Sequence, residues 1–239
     1  MKRHFGPRGW WPALRPGAGQ SDRPVYDPRR RRLTAGQRFE ISIGAILTQN
    51  TAWTNVEKAI LNLHRRGALS FEKIRRIPRA RLARLIRPSG YFNQKAIKLK
   101  NWIAFLGRRP SKAGQLDRMR HMDVDRARAA LLSVNGIGPE TADSILLYAL
   151  EKPVFVVDAY TRRVFSRHGW ISGNEPYETI RKQLEAALPP RVPLWNDYHA
   201  QIVEIGKTYC HRRRPLCRSC PLYGRDFFWS EAAFTSVIG

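Results

Sequence analysis

Leu131-Leu-Ser-Val-Asn-Gly-Ile-Gly-Pro-Glu-Thr-Ala142 is the stretch on which the reading of this chain turns. Gly136 and Gly138 bracket Ile137 between two amphipathic segments. Glycines allow a tight turn and let a phosphate approach the main chain. Pro139 suits the first position of a helix, where its missing N–H does no harm. That helix start offers unbonded N–H groups and a positive dipole end to an anion. Ile137 tucks under the turn and ties the two helices together. An ordinary αα-corner would need glycines for its turn alone. The full spacing, with Thr141-Ala142 after the proline, favours a hairpin that grips a phosphate through Gly136, Ile137 and Gly138.

Downstream, Val156-Val-Asp-Ala-Tyr-Thr-Arg-Arg163 places Asp158 between two β-branched residues and a helix. Asp is a strong N-cap, which is the simplest reading. A carboxylate kept ionised beside apolar walls also stabilises a sugar cation or orients a water. Asp158 can do both.

Outward from these motifs the pattern is helical. Apolar periodicity places helices at about 39–47, from 51 or 54 through 63, up to 77 behind Ser70, 79–87, 91–106, up to 133 behind a cap at Asp123 or Asp125, 139–150, 159–168, 177–188 and 195–209. The second is expected to start at Thr51 or Thr54, with Thr54 and Glu57 as a capping box. Residues 107–122 read as a polar connection. The run 154–157 (Val-Phe-Val-Val) is too short and isolated to build a sheet. The fold class is therefore all-α, with about ten helices. Residues 1–38, rich in Pro and Gly and carrying the basic run 29–32, read as loop. They are expected to pack on the C-terminal part or to stay partly mobile. Residues 39–150, ending in the hairpin, and 151–239 follow as two successive helical stretches.

The chain has 239 residues and holds 43 Lys+Arg against 19 Asp+Glu, a formal charge of +24. Of the basic residues 33 are Arg and 10 are Lys. Arg binds phosphate as a bidentate fork, so a polyanionic partner is expected. No apolar run approaches the roughly 18 residues that span a bilayer, and no signal-peptide pattern stands out. A cytoplasmic, nucleoid-associated protein without membrane contact is expected. The only cysteines are Cys210, Cys217 and Cys220. An odd number crowded into one loop argues for metal rather than disulfides.

These motifs together resemble the endonuclease III-like, helix–hairpin–helix (HhH-GPD) DNA glycosylases over about residues 39–226. The likeness rests on Val134–Ala142, on Val157-Asp-Ala-Tyr-Thr-Arg-Arg163, on Leu47-Thr-Gln-Asn-Thr51, on Gly90-Tyr-Phe-Asn-Gln-Lys-Ala96 and on the cysteine loop. It implies two helical lobes with a DNA-binding cleft between them and Asp158 as the catalytic aspartate. It also implies Gln49 and Asn50 filling the gap left by an everted base, Tyr91 as a wedge, and Lys95 along nearby phosphates. Thr141 belongs to the same DNA-binding set.

Two departures shape the expected activity. Bifunctional members of the family carry a Schiff-base Lys two residues after the second hairpin glycine; here that place is Glu140, and a carboxylate forms no imine. A monofunctional enzyme is implied, handing its product to an AP endonuclease. The family's metal loop reads C-x6-C-x2-C-x5-C. Here it is Cys210-x6-Cys217-x2-Cys220-x5-Asp226. A [4Fe–4S] or [3Fe–4S] cluster with Asp226 as a ligand, a Cys3His zinc site using His199 or His211, and no metal all remain open.

Gly9-Trp-Trp-Pro12 and Trp53 resemble the 3-methyladenine glycosylase branch. That likeness implies Trp10 and Trp53 as walls of a base pocket completed by Trp11 and Pro12, and alkylated purines as substrates. The rival readings are a glycosylase/AP lyase for oxidised pyrimidines, a uracil or mismatch glycosylase, and a non-catalytic DNA-binding relative. A monomer is expected.

Overall fold

The structure, a computed structural model, describes residues 1–15, 17–19, 22–27, 32–107 and 114–224. Among these the regular elements are all helical. The single extended pairing is an isolated bridge between Ala13 and Val25. No helix among the described residues is long and apolar enough to cross a membrane. The chain divides into two units, one of Trp11–Lys152 and one of Met1–Trp10 with Pro153–Gly239.

The larger unit is built around α2 (Ala35–Leu47), buried at every position from Gln37 to Leu47. Its sequence explains this. Ile41, Ile43, Ile46 and Leu47 cover more than one face, and a helix apolar all round belongs inside. Around it stand α3 (Trp53–Arg65), α4 (Phe71–Arg76), α5 (Arg79–Leu85), α6 (Phe92–Gly107), α7 (Gly114–Arg120), α8 (Val124–Leu132) and α9 (Pro139–Ser144). Trp102 of α6 is fully buried, stacks on Phe105 and donates its indole N–H to Ser42 Oγ at 3.0 Å. The buried polar residues of α2 have partners too: Glu40, for one, accepts from the Leu14 amide at 3.0 Å. Segment 11–14 is thereby bonded to α2.

The smaller unit holds α10 (Ala159–Arg167), α11 (Tyr177–Ala187) and α12 (Val192–Thr208), with the short α1 (Lys2–Phe5). The N-terminal segment is fastened to α12 and the residue after it. His4 Nε2 meets Tyr209 Oη, Gln201 donates to the Gly6 carbonyl, Asp197 accepts from the Arg8 amide, and Asn196 bonds both main-chain groups of Trp10. Extended residues Val154–Val157 are buried without a partner strand. Side chains satisfy their main chain instead, as buried N–H groups require. The Phe155 amide donates to Glu185 Oε1 and the Val157 amide to Tyr177 Oη.

Several expected boundaries are corrected. Residues 1–38 are not all loop, because α1 lies there and α2 begins at Ala35. Thr34 caps α2 in a reciprocal box with Gln37. The Thr54–Glu57 box does not form; α3 starts at Trp53 behind Ala52, with no side-chain cap. Thr51 Oγ1 instead accepts from Asn55. The polar connection 107–122 contains α7. The helix 139–150 changes pitch, with a π-helical turn over Ile145–Ala149 following α9. Other expected starts match, since Ser70, Asp123 and Asp158 cap α4, α8 and α10 through their side chains.

Candidate active site

In the larger unit the Gly136–Gly138 turn joins α8 to α9. Gly136 has φ +96°, a conformation that side-chain-bearing residues avoid, and a Cβ there would lie 2.4 Å from Lys98 Cγ. Ile137 is buried beneath the turn, while Gly138, Pro139 and Glu140 are exposed. Gly138 is extended and caps α9, with Pro139 in its first turn. The flanking helices are pinned by a buried ion pair. Arg128 Nε reaches Asp143 Oδ1 at 2.7 Å and its Nη2 reaches Oδ2 at 3.2 Å, with the Asp143 side chain wholly buried.

The loop after α2 is tied to this turn. Gln49 Nε2 donates to the Gly136 carbonyl at 3.0 Å and to Thr141 Oγ1 at 2.9 Å, and its Oε1 accepts from Lys98 Nζ at 2.5 Å. Gln49 is therefore a brace between loop and hairpin. Asn50, exposed with φ 53°, is the projecting tip. Tyr91 is also left-handed, at φ 44°, and its side chain stands in solvent. Lys95, expected along phosphates, is only 2% exposed. Its ammonium donates to the carbonyls of Leu47 at 2.9 Å and Ser89 at 2.6 Å, holding together the roots of the Asn50 and Tyr91 loops. Burial, with Lys98 adding repulsion, lowers its pKa to about 8.

Trp11 and Trp53 come together edge to face with ring centroids 5.3 Å apart, and Tyr148 of the π-helical turn lies 5.5 Å from Trp11. Trp11 lies flat on α2 at Gly44, where a Cβ would come within 3.0 Å of the indole. Trp11 and Pro12 are buried and support the half-buried Trp53. Tyr148 carried no sequence signal, because it reads as one more apolar residue of a helix. Trp10 belongs to the smaller unit, where Lys207 Nζ lies 5.5 Å from its ring centroid.

Asp158 also lies in the smaller unit. It caps α10, its Oδ1 accepting from the Thr161 amide at 2.7 Å and from Thr161 Oγ1 at 2.9 Å. Its Oδ2 lies 3.6 Å from Nε2 of His199, on α12. Burial holds the His199 pKa below its usual value, against the opposing pull of Asp158. Nothing in the sequence pairs these two residues; only the packing of α10 on α12 does.

That packing also disposes of the cysteine loop. Arg163 donates to the carbonyls of Cys210 and Gly206, and Arg167 to those of His211 and Arg212. Arg167 Nη1 also reaches Cys210 Sγ at 3.3 Å. Cys217 is exposed, and burial raises the Cys220 thiol, with the neighbouring Cys210 and Cys217 adding to it. Among the described residues no set of three or more His, Cys, Asp or Glu side chains is gathered to hold a metal. Asp226 lies outside the described residues, and His199 sits against Asp158. Among the described residues neither the expected iron–sulfur ligand set nor a Cys3His zinc site is assembled. The loop carries exposed Arg212, Arg213, Arg214 and Arg218.

Comparison with known proteins adds the family. The model of the HhH-GPD superfamily base excision DNA repair proteins matches residues 43–190. A Methanocaldococcus jannaschii protein, provisionally named a DNA repair glycosylase, is 42% identical over 221 residues, 92% of this chain and 89% of its own. The H. pylori 3-methyladenine DNA glycosylase bound to 1,N6-ethenoadenine aligns with a TM-score of 0.59 at 30% identity, over 71% of this chain and 84% of that one. An endonuclease III in a non-covalent complex with DNA aligns with a TM-score of 0.64 at 25% identity, over 77% and 80%. A glycine hairpin, a capped aspartate and these matches converge: the chain belongs to the HhH-GPD superfamily and is a DNA glycosylase of base excision repair.

Proposed function

We propose that this glycosylase is monofunctional and removes N-alkylated purines from duplex DNA. The observation that carries the reading is Glu140, exposed in the first turn of α9 at the place of the family's Schiff-base lysine. A carboxylate makes no covalent bond to C1′ of the kind an amine makes, so water is the nucleophile. The everted nucleotide loses its base as the C1′–N bond breaks, and Asp158 stabilises the oxocarbenium-like sugar and orients the attacking water. A water proton passes to solvent, and the abasic strand stays intact for an AP endonuclease. The hairpin amides grip a backbone phosphate, and Asn50 and Tyr91 enter the stack.

The aromatic set supports the choice of base. An N-alkylated purine is cationic, and a cation on an indole face gains about 0.5–2 kcal/mol. Trp53, set edge to face against Trp11, which Tyr148 in turn supports, offers such a face. The positive charge also makes the base a good leaving group, so no strong general acid is needed. The 3-methyladenine glycosylase named above is a relative with the corresponding chemistry.

The test is single-turnover excision on duplexes carrying a methylated purine, uracil, a G:T pair or an oxidised pyrimidine, each with and without alkali. Release of the methylated purine with strand scission only after alkali is the expected result. Borohydride is expected to trap no protein–DNA adduct on abasic duplex. An adduct, or scission of oxidised-pyrimidine duplex without alkali, would establish the lyase reading instead.

The hairpin role has its own check. At φ +96°, alanine in place of Gly136 is strained by about 1–2 kcal/mol. Gly136→Ala is expected to weaken duplex binding about tenfold, the equivalent of roughly 1.4 kcal/mol. The preferred lesion should not change. Unaltered affinity for abasic duplex would remove the turn from the DNA interface.

A further inference from the structure

We infer that His199 is a positioning residue for Asp158, holding the carboxylate oxygen that faces the sugar. The inference rests on the reading of Asp158 given above and adds a second residue to it. The carboxylate has two oxygens with different surroundings. Oδ1 is committed to the helix cap, accepting twice from Thr161. Oδ2 is left for chemistry, and the polar side-chain atom beside it is His199 Nε2, at 3.6 Å. That distance lies just beyond hydrogen-bond range. A shift of a few tenths of an ångström closes it, as catalytic contacts tighten once substrate is bound.

The imidazole is itself held firmly. His199 is 6% exposed, and Phe155 meets it edge-on with ring centroids 6.2 Å apart. The register of α12 against α10 is fixed farther along both helices. Gly206 lies so close to Tyr160 that a Cβ there would be 2.4 Å from Cδ1, and Arg163 bonds the carbonyls of Gly206 and Cys210. The pairs Asp158 with His199, Arg163 with Gly206, and Arg167 with Cys210 climb the two helices together. His199 therefore meets Asp158 on a locked surface rather than on a mobile loop.

The chemistry explains why a buried histidine suits this place. A neutral imidazole orients the carboxylate oxygen through one N–H and leaves its charge whole for the sugar cation. A lysine or arginine would neutralise that charge, and an apolar residue would leave Oδ2 to rotate. Burial disfavours the charged form of the ring, against the opposing pull of Asp158.

Two variants of the full-length protein test this. His199→Phe keeps a ring but removes the N–H; His199→Gln restores an amide N–H at the same reach. Both are compared with Asp158→Asn for excision of a methylated purine at saturating enzyme, for affinity to abasic duplex, and for Tm. His199→Phe is expected to slow excision about 10- to 100-fold, the scale of a small misplacement of a reacting group. Its affinity should stay within about twofold, and His199→Gln should recover most of the rate. A wild-type rate in His199→Phe overturns the inference. So does a His199→Gln variant as slow as His199→Phe, since packing alone would then explain the loss. Asp158→Asn separates the two levels: if it is inactive while His199→Phe is not slowed, only the role of His199 fails. If Asp158→Asn excises normally, the reading of Asp158 falls and takes this inference with it.

Discussion

Asp158→Asn is expected to lower the rate of base excision by about 100- to 1000-fold, the scale on which loss of one aligned electrostatic group acts. Duplex affinity and Tm should stay close to those of the unsubstituted protein. The two roles of the residue separate cleanly because they use different properties. As a cap, Asp158 needs only an oxygen that accepts from the Thr161 amide and hydroxyl. Asparagine supplies that oxygen, and Asn and Asp are near-equal N-caps. As the partner of a sugar cation it needs negative charge, which asparagine lacks. A rate loss with an unchanged melting curve identifies the charge. A variant that excises at the wild-type rate would leave Asp158 as a cap and nothing more.

The second large effect falls on stability. Arg128→Met takes the paired guanidinium away from the wholly buried Asp143 carboxylate and is expected to cost about 3–5 kcal/mol. For a chain of this size that is a fall in Tm of roughly 6–20 °C, read by thermal denaturation. The double variant Arg128→Met/Asp143→Leu should recover most of the loss, because no charge is then left buried without its counterion. If the double variant melts as low as the single one, packing by the Arg128 stem rather than the ion pair holds α8 to α9.

Much of this architecture was legible in the residues, because local chemistry acts alone at many positions. Ser70, Asp123 and Asp158 were readable as caps, since a short acceptor ahead of an apolar period has one obvious use. The hairpin was readable because two glycines and a proline leave few other conformations. The misreadings came where neighbours decide. Thr34 opens α2 within a stretch whose prolines and glycines point to loop. Thr54 and Glu57 have capping spacing, yet the helix had already begun at Trp53. Lys95 has the composition of a phosphate contact, but α6 turns it inward onto two carbonyls. The π-helical turn that presents Tyr148 to Trp11 has no signature in single-chain periodicity. His199 stands in the sequence only as an alternative zinc ligand beside His211; in space it lies against the aspartate.

The fastening of His4, Gly6, Arg8 and Trp10 to α12 and Tyr209 bears on how the molecule is made. As the polypeptide leaves the ribosome, the unit of residues 11–152 is complete before the smaller unit has been made and can collapse early, as domains do during synthesis. The stretch from His4 to Trp10 must wait, tethered but unplaced, until Asn196, Asp197, Gln201 and Tyr209 have been translated. Maturation of the aspartate-bearing half is thus a late event, completed when an early-made stretch meets one made much later.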